Sequence, residues 1–242
     1  MSAADAYELR VLPAATWAVV VADAFLERLS ARPGLRVCLP TGDTPGPLYA
    51  ELAARDARSP DGAYAQATVV LLDEWLGLPP GDAARCDVRL RRELLDRLAP
   101  PPRFVGVDVD ASDDGLAALA HDRAARGLDL ALLGLGMNGH VGFNEPGSRP
   151  DDPTRVVRLA RSTRQSAMAR YGAGQAPTGG ITVGLARLLE AGQAWLLVTG
   201  AHKASVLRRA LRLPEGPDCP ASYLRRHPRL TVFADEAAAS GL

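Results

Sequence analysis

The chain has 242 residues and a mass of 25.5 kDa, with 28 basic and 28 acidic side chains and therefore a formal net charge of zero. This balance argues against a protein that bulk charge holds on nucleic acid or on a membrane surface. Hydrophobic residues make up 47% and charged residues 23% of the chain, which is typical of a globular protein rather than a disordered one. The length predicts one α/β domain, with two small domains as the alternative.

Cysteine usage and hydropathy exclude several further classes. The three cysteines, Cys38, Cys86 and Cys219, are odd in number and far apart, so neither a disulfide framework nor a structural zinc site is expected. The apolar stretch around Trp17 is interrupted by acidic residues and is too short to span a membrane. It also lacks the basic segment that opens a signal peptide. We therefore expect a cytoplasmic protein without a metal centre.

Apolar periodicity predicts regular elements along the whole chain. A helix begins near Pro13, a residue suited to a first turn, and its buried stripe comprises Trp17, Val21, Phe25 and Leu29. Apolar runs typical of buried parallel strands follow at Leu35–Leu39, Thr68–Leu72, Leu128–Leu133 and Ala194–Val198. Helical patterns occur between and after these strands, at Leu48–Ala57, Val88–Leu98, Leu116–Ala125, Val183–Leu189 and Ala204–Leu211. A last strand is predicted at Leu230–Phe233. The alternation predicts a doubly wound α/β fold, a Rossmann-like three-layer sandwich with a mostly parallel sheet and helices on both faces.

Polar residues follow four of the predicted strands, at the point where each strand ends. They are Thr41–Thr44, the pair Asp73 and Glu74, the loop Gly134–His140, and Thr199–Lys203. In open α/β sheets, ligands bind outside the carboxyl ends of the strands. The sequence therefore predicts that these segments converge on one crevice that binds a small molecule.

Gly134, Gly136 and Gly139 match the spacing of a dinucleotide-binding loop and follow a predicted strand. Such a loop opens a helix, but here the chain continues through Gly142 and Pro146, which forbid a regular helix. No acidic residue stands at a strand end about 20 positions on, where a ribose would need it. These observations disfavour nucleotide binding.

The turn Thr41-Gly42-Asp43-Thr44 lies between a predicted strand and a predicted helix. Backbone N–H groups in such a turn, together with the N-terminus of the following helix, attract phosphate oxygens. The turn is not a Walker loop, because no Gly-Lys-Ser/Thr follows it. A plain turn with a helix cap is the alternative interpretation.

Three ionisable side chains are candidates for proton transfer. Asp73 ends a run of apolar residues, where a carboxylate is costly unless it is used as a base or held in an ion pair. Both interpretations of Asp73 remain open. His140 and Glu145 lie in a glycine-rich loop with Asn138, and an imidazole oriented by a carboxylate is a common proton-transfer pair. His121, on an arginine-rich helical pattern, is predicted to be exposed.

Lys203 is the only lysine among 28 basic residues. A lysine retained in a chain that otherwise uses arginine suggests a need for a compact ammonium rather than a planar guanidinium. Chance is the alternative explanation.

Together these segments resemble the family of glucosamine-6-phosphate deaminases (isomerases), which is related to the 6-phosphogluconolactonases. The resemblance runs in order through nearly the whole chain, and its motifs are Leu39–Pro45, Leu72–Pro79, Leu133–Gly147, Gly180–Gly184, Val198–Ala204 and Pro220–His227. The segment Phe143-Asn-Glu-Pro146 resembles the corresponding motif of the deaminases, and the lactonases lack this motif.

The resemblance implies roles for particular residues. It places the general base at Asp73 and the ring-opening histidine at His140, assisted by Glu145 and Asn138. It places the phosphate-binding residues at Thr41, Gly42, Asp43, Thr44, Arg170 and Lys203. The implied reaction converts glucosamine 6-phosphate and water into fructose 6-phosphate and ammonia, with no cofactor and no metal, and its partner is a small sugar phosphate rather than nucleic acid or a membrane.

Some positions depart from the family's usual pattern. Asp43 stands where a Gly or Ser is common, and its charge would repel a phosphate unless it caps the following helix or pairs with an arginine such as Arg85. Arg85 and Cys86 replace a usual Ser-Tyr, and Asn138 stands where many members have Asp. The chain ends soon after the last predicted strand, without the C-terminal extension of the allosteric hexameric members. We therefore expect no such allosteric regulation, and a homo-oligomer is possible.

Rival functions are a 6-phosphogluconolactonase-type hydrolase, a related amino-sugar deaminase in a specialised biosynthetic pathway, and a non-catalytic sugar-phosphate sensor. The Gly147–Gly180 region has the weakest pattern and is rich in Gly, Pro and Ser. It is the candidate for a mobile lid (residues 147–180) within a single domain of residues 1–242.

Overall fold

The computed structural model describes residues 7–59, 62–110, 113–161, 163–165 and 177–242. Its main sheet is built from seven strands: β1 (Tyr7–Leu12), β2 (Arg36–Leu39), β3 (Thr68–Leu71), β5 (Arg103–Val105), β6 (Leu130–Gly134), β9 (Ala194–Val198) and β10 (Leu230–Asp235). They lie side by side in the order β1-β10-β9-β6-β2-β3-β5, and every neighbouring pair is parallel. All seven strands therefore end at the same edge of the sheet.

Helices connect the strands. They are α1 (Ala14–Ala31), α2 (Gly46–Arg58), α3 (Cys86–Glu93), α4 (Asp114–Ala124), α5 (Leu185–Leu189), α6 (Ala204–Arg212) and α7 (Glu236–Ala239). Short 3₁₀ helices occur at Leu95–Arg97, Ala201–Lys203 and Pro220–Arg226. No helix in the described ranges is long and apolar enough to cross a membrane.

Two hydrophobic cores cover the two faces of the sheet. Side chains alternate along each strand, so Leu130 and Leu132 of β6 lie in one core and Ala131 and Leu133 in the other. The first core also contains the predicted stripe of α1: Trp17, Val21, Phe25 and Leu29. The second contains residues of α5 and α6. The predicted sheet with helices on both faces is confirmed.

A small antiparallel sheet lies beside the main one and was not predicted. It consists of β4 (Asp73–Leu76), β8 (Gly179–Thr182) and β7 (Arg155–Val157), in the order β4-β8-β7. The sequence predicted one strand over Thr68–Leu72 with Asp73 after its end. The structure instead begins a second strand at Asp73, two residues after β3 ends, and this strand belongs to the other sheet.

Other differences are local. The sequence pattern did not predict β1 or β5, and the helix predicted over Val88–Leu98 ends at Glu93, where Leu94 leaves the helical conformation with φ −138° and ψ −63°. The predicted helix over Val183–Leu189 begins two residues later, at Leu185, because Val183 continues the backbone path from β8.

The prediction of an exposed His121 is wrong. This side chain on α4 is only 3% exposed, and its Nε2 lies 2.7 Å from the carbonyl oxygen of Leu71 at the end of β3. The pairing of β3 with β5 runs only to Val70 and Val105, so the carbonyl of Leu71 lies beyond that ladder and His121 satisfies it. Burial lowers the pKa of His121, which keeps the ring neutral.

Candidate active site

A cavity of about 390 Å³ opens at the carboxyl ends of the parallel strands. Four predicted segments meet there, as expected for an open α/β sheet. Its predicted site residues are Thr41, Gly42, Asp43, Thr44, Asp73, Asn138, His140 and Lys203. Glu145 lies behind His140, and Arg170 lies outside the described residues. The convergence predicted from the strand ends is thus present.

The turn from Thr41 to Thr44 connects β2 to α2 and forms one side of the cavity. Gly42 has a φ of 137°, a conformation that side chains rarely adopt. Lys203, at the end of a 3₁₀ helix, also lines the cavity, and its Nζ donates to the carbonyl oxygen of Leu135 at 2.5 Å. The turn and the ammonium therefore both face the same cavity.

Asp43 is not the N-cap of α2, and Arg85 is not its partner. The N-cap of α2 is Pro45, and its first turn receives no side-chain cap from the described residues. Arg85 pairs instead with Asp87 and Asp110, with N–O distances of 3.1 Å. The side chain of Asp43 is exposed at the cavity wall, where solvent screens its charge.

Asp73 is a buried carboxylate in the wall of this cavity, with 6% of its surface exposed. It opens β4, where its backbone pairs with Thr182 of β8. Burial raises the pKa of Asp73 to about 7, against the opposing effects of His140, the Cys86 thiol and Arg89. A carboxylate with a pKa near neutrality is suited to general-base catalysis.

Glu74, the neighbour of Asp73, points away from the cavity and has a structural role. Its carboxylate accepts hydrogen bonds from the backbone N–H groups of Trp75, Cys86 and Asp87 at 2.8–2.9 Å. Two of these donors lie in the first turn of α3, where a helix has unsatisfied N–H groups. Glu74 therefore fixes the start of α3 beside Asp73.

His140 and Glu145 form the predicted pair. Nδ1 of His140 lies 3.3 Å from Oε2 of Glu145. The same carboxylate accepts a hydrogen bond of 2.7 Å from Asn138 and one of 2.5 Å from Thr163. Burial acts to raise the pKa of Glu145, but His140, Thr163 and Asn138 outweigh it and hold the pKa below its usual value. Glu145 is therefore an ionised anchor for the imidazole.

Two glycines in the loop after β6 make room for catalytic side chains. A Cβ at Gly136, the middle glycine of the apparent dinucleotide motif, would lie 2.2 Å from Nε2 of His140. A Cβ at Gly142, which follows the motif and has a φ of 56°, would lie 3.2 Å from Oδ2 of Asp73. The absence of side chains at these two positions thus accommodates His140 and Asp73.

Sequence reasoning missed two residues of the site. Thr163 lines the cavity and holds Glu145, but it lies in the segment with the weakest pattern. Cys86 also lines the cavity, and it stood out in the sequence only as a departure from the family. Among the described residues, no group of three or more His, Cys, Asp or Glu side chains is arranged to hold a metal ion.

Comparison with known proteins agrees with this geometry. The family model described as glucosamine-6-phosphate isomerases/6-phosphogluconolactonase matches residues 12–232. A glucosamine-6-phosphate deaminase of Pseudarthrobacter chlorophenolicus is 41% identical over 232 residues, covering 92% of this chain and 87% of the relative.

Solved structures share the fold. A monomeric glucosamine-6-phosphate deaminase superposes with a TM-score of 0.91 at 27% identity, covering 97% of this chain and all of that one. A 6-phosphogluconolactonase from Trypanosoma cruzi has a TM-score of 0.78 at 21% identity, covering 97% of this chain and 96% of that one. At that identity, the second likeness concerns the fold alone.

Proposed function

We propose that this chain, which belongs to the glucosamine-6-phosphate isomerase/6-phosphogluconolactonase family, converts glucosamine 6-phosphate and water into fructose 6-phosphate and ammonia. One observation carries the proposal: a single cavity joins Asp73, a buried carboxylate with a pKa of about 7, to His140, an imidazole backed by Glu145. The relatives named as deaminases support it.

The phosphate is the handle that positions the sugar. The turn from Thr41 to Thr44 and Lys203 both line the cavity, and backbone N–H groups and an ammonium both favour a dianion. Arg170 is proposed as a further phosphate ligand from the family resemblance. Binding energy from this non-reacting end orients the reacting carbons.

Ring opening is the first chemical step. It moves a proton from the anomeric hydroxyl to the ring oxygen of the pyranose, and it needs one group that can both accept and donate. His140 supplies this group, while Glu145 holds Nδ1 and Asn138 holds Glu145. Because Glu145 stays ionised, it stabilises the imidazolium that forms when His140 takes up the proton.

Isomerisation follows in the open-chain sugar. Ionised Asp73 removes the proton from C2, which leaves an enolamine between C1 and C2, and the same carboxyl group returns a proton to C1. The product carries an imine at C2. Water adds to this carbon, ammonia leaves, and fructose 6-phosphate remains. Both substrate and product are charged metabolites, for which a bilayer is a barrier, so we place the reaction in the cytoplasm.

Ammonia release from a set of sugars tests the proposal. We expect release from glucosamine 6-phosphate at a kcat/KM at least 100-fold above that for glucosamine, since the phosphate handle is absent from the second sugar. Hydrolysis of 6-phosphogluconolactone is measured in parallel. Lactone hydrolysis without ammonia release would identify the chain as a lactonase, and binding of the sugar phosphate without turnover would identify it as a sensor.

A further inference from the structure

An aromatic pair lines the active-site cavity together with the proposed base. Trp75 and Phe143 both belong to the lining of this cavity. The centroids of their rings lie 4.3 Å apart, and the ring planes make an angle of 44°. Each residue is 5% exposed, and both belong to the first hydrophobic core. The pair therefore continues that core into the wall of the site.

Strand β4 presents Trp75 and Asp73 on the same face. Side chains alternate along a strand, so residues 73 and 75 point to one side and residue 74 points to the other. Accordingly, Asp73 and Trp75 line the cavity, whereas the carboxylate of Glu74 binds the start of α3. The indole ring is therefore the next side chain along the strand face that carries the base.

Phe143 is held over this face of the small sheet by strand β8. Its backbone N–H donates to Oγ1 of Thr182 at 3.1 Å, and Thr182 is the cross-strand partner of Asp73. Gly180 is the cross-strand partner of Trp75, and a Cβ at Gly180 would lie 2.5 Å from Cδ2 of Phe143. The phenyl ring therefore occupies the space that the missing side chain of Gly180 leaves beside Trp75.

We propose that Trp75 and Phe143 form an aromatic wall that excludes water from the base: it shields the carboxyl group of Asp73 while that group carries a proton from C2 of the sugar to C1. The proposal rests on the proposed function, and it gives the aromatic lining the usual role of apolar side chains around the few polar groups of a ligand site. The water that hydrolyses the imine enters from the open side of the cavity, where Asp43 and Met137 are exposed.

Exclusion of water from Asp73 has two consequences that can be measured separately. Burial raises the pKa of Asp73 to about 7, and water that reached the carboxyl group would stabilise the ionised form and lower this pKa. Water in contact with the protonated carboxyl group would also exchange its proton before the group delivers it to C1. The pKa of Asp73 and the origin of the C1 hydrogen therefore both report on the aromatic wall.

The test compares Phe143→Ala and Phe143→Leu with Phe233→Ala. Phe233 is a matched control, because it forms a tilted pair with Trp195 in the same core, with centroids 5.0 Å apart, and is not part of the cavity lining. The pKa of Asp73 is measured by ¹³C NMR titration of protein labelled at aspartate carboxyl carbons, with the signal assigned by its loss in Asp73→Asn. The ratio of protium to deuterium at C1 is measured in fructose 6-phosphate formed from glucosamine 6-phosphate in D₂O.

The titratable and charged groups that act on Asp73 or respond to its charge are unchanged in all three variants. They are His140 in the loop after β6, Cys86 and Arg89 on α3, Cys38 on β2 and Tyr49 on α2. A change in the pKa of Asp73 therefore reports access of solvent rather than the loss of a neighbouring charge.

Phe143→Ala should leave a space that joins the cavity and that water can fill. We expect the pKa of Asp73 to fall by about 1 in Phe143→Ala and by about 0.3 in Phe143→Leu, since leucine keeps much of the apolar volume. The ratio of protium to deuterium at C1 should fall about threefold or more in Phe143→Ala. Phe233→Ala should change the pKa of Asp73 by less than about 0.2.

Three results would overturn the proposal. They are an Asp73 pKa that is the same in the wild type and in the folded Phe143 variants, a wild-type product that is fully deuterated at C1, and an equal pKa change in Phe233→Ala. If Phe143→Ala does not fold, Phe143→Leu carries the comparison. Absence of ammonia release from the wild type counts against the proposed function, and the NMR titration, which needs no activity, then decides the role of the aromatic wall alone.

Discussion

At position 73, burial opposes the charge that the chemistry requires. Asp73 is 6% exposed, and its pKa is about 7 because desolvation outweighs the favourable effects of His140, Cys86 and Arg89. A base of this kind is ionised in about half of the molecules at pH 7, and it is stronger than an exposed aspartate. The same burial reduces the stability of the fold when the carboxylate ionises.

Asp73→Asn should therefore stabilise the protein, and more so at high pH. The ordinary pKa of an aspartate is 3.8, so between about pH 4 and pH 7 the unfolded chain loses this proton while the folded protein keeps it. Stability falls with rising pH through that window. The gain from Asn should be about 2–3 kcal/mol larger at pH 8 than at pH 5, as measured by urea unfolding.

Asp43→Asn makes the same replacement at an exposed carboxylate. It is measured in parallel, so that the gain from Asp73→Asn is compared with the effect of losing an exposed carboxylate. An equal gain from Asp73→Asn at pH 5 and pH 8 would show that the pKa of Asp73 is not raised.

The proposed role of Lys203 in phosphate binding can be tested by replacing this one side chain. Its Nζ holds the carbonyl oxygen of Leu135 at 2.5 Å, a contact that the longer, planar guanidinium of arginine cannot reproduce in the same space. Lys203→Arg should raise KM for glucosamine 6-phosphate about tenfold while kcat changes less than threefold. Steady-state kinetics measure both constants, and an unchanged KM would exclude a phosphate role for Lys203.

At the scale of elements, the loop after β6 is built around the imidazole. The backbone returns on itself from Gly136 to His140, with a hydrogen bond of 2.9 Å from the N–H of Gly136 to the carbonyl of His140. The ring then lies against Gly136 and faces Glu145. The loop therefore has space for one arrangement of His140.

Gly136→Ala should abolish activity, because its Cβ would lie 2.2 Å from Nε2 of His140 and must displace the ring. Gly134→Ala is a matched control two residues away, since a Cβ there meets nothing within 4 Å. We expect kcat to fall at least 100-fold in the first variant and less than threefold in the second. Similar activity in both variants would show that the position of the ring is not critical.

The sequence predicted the parallel sheet well, because each buried strand is a short apolar run and the apolar residues of each intervening helix recur at helical spacing. It also predicted the residues at the strand ends, because parallel strands bring those ends together. It did not predict the β4-β8-β7 sheet, since Asp73 follows β3 without a turn signal. It also missed Thr163, which holds Glu145 from 18 residues away, and Cys86, which lines the cavity from the start of α3. The lid predicted over residues 147–180 stays a prediction.

At the scale of the whole molecule, the described cavity draws its lining from segments that are far apart in the sequence. The turn after β2, the base on β4, the loop after β6 and the lysine after β9 come from separate strand ends. The activity proposed above therefore depends on the whole sheet being assembled. A homo-oligomer remains a prediction, and the solved deaminase that superposes with a TM-score of 0.91 is a monomer.

The most direct test of the account follows glucosamine 6-phosphate by ¹H NMR in D₂O with the wild type and with Asp73→Asn. With the wild type, the signal of the C2 proton should disappear as ammonium and fructose 6-phosphate form, with part of the product deuterated at C1. Asp73→Asn should bind with a KM within threefold and reduce kcat at least 100-fold. Retention of more than about a tenth of kcat in that variant, or a wild type that leaves the C2 proton in place, would contradict the account.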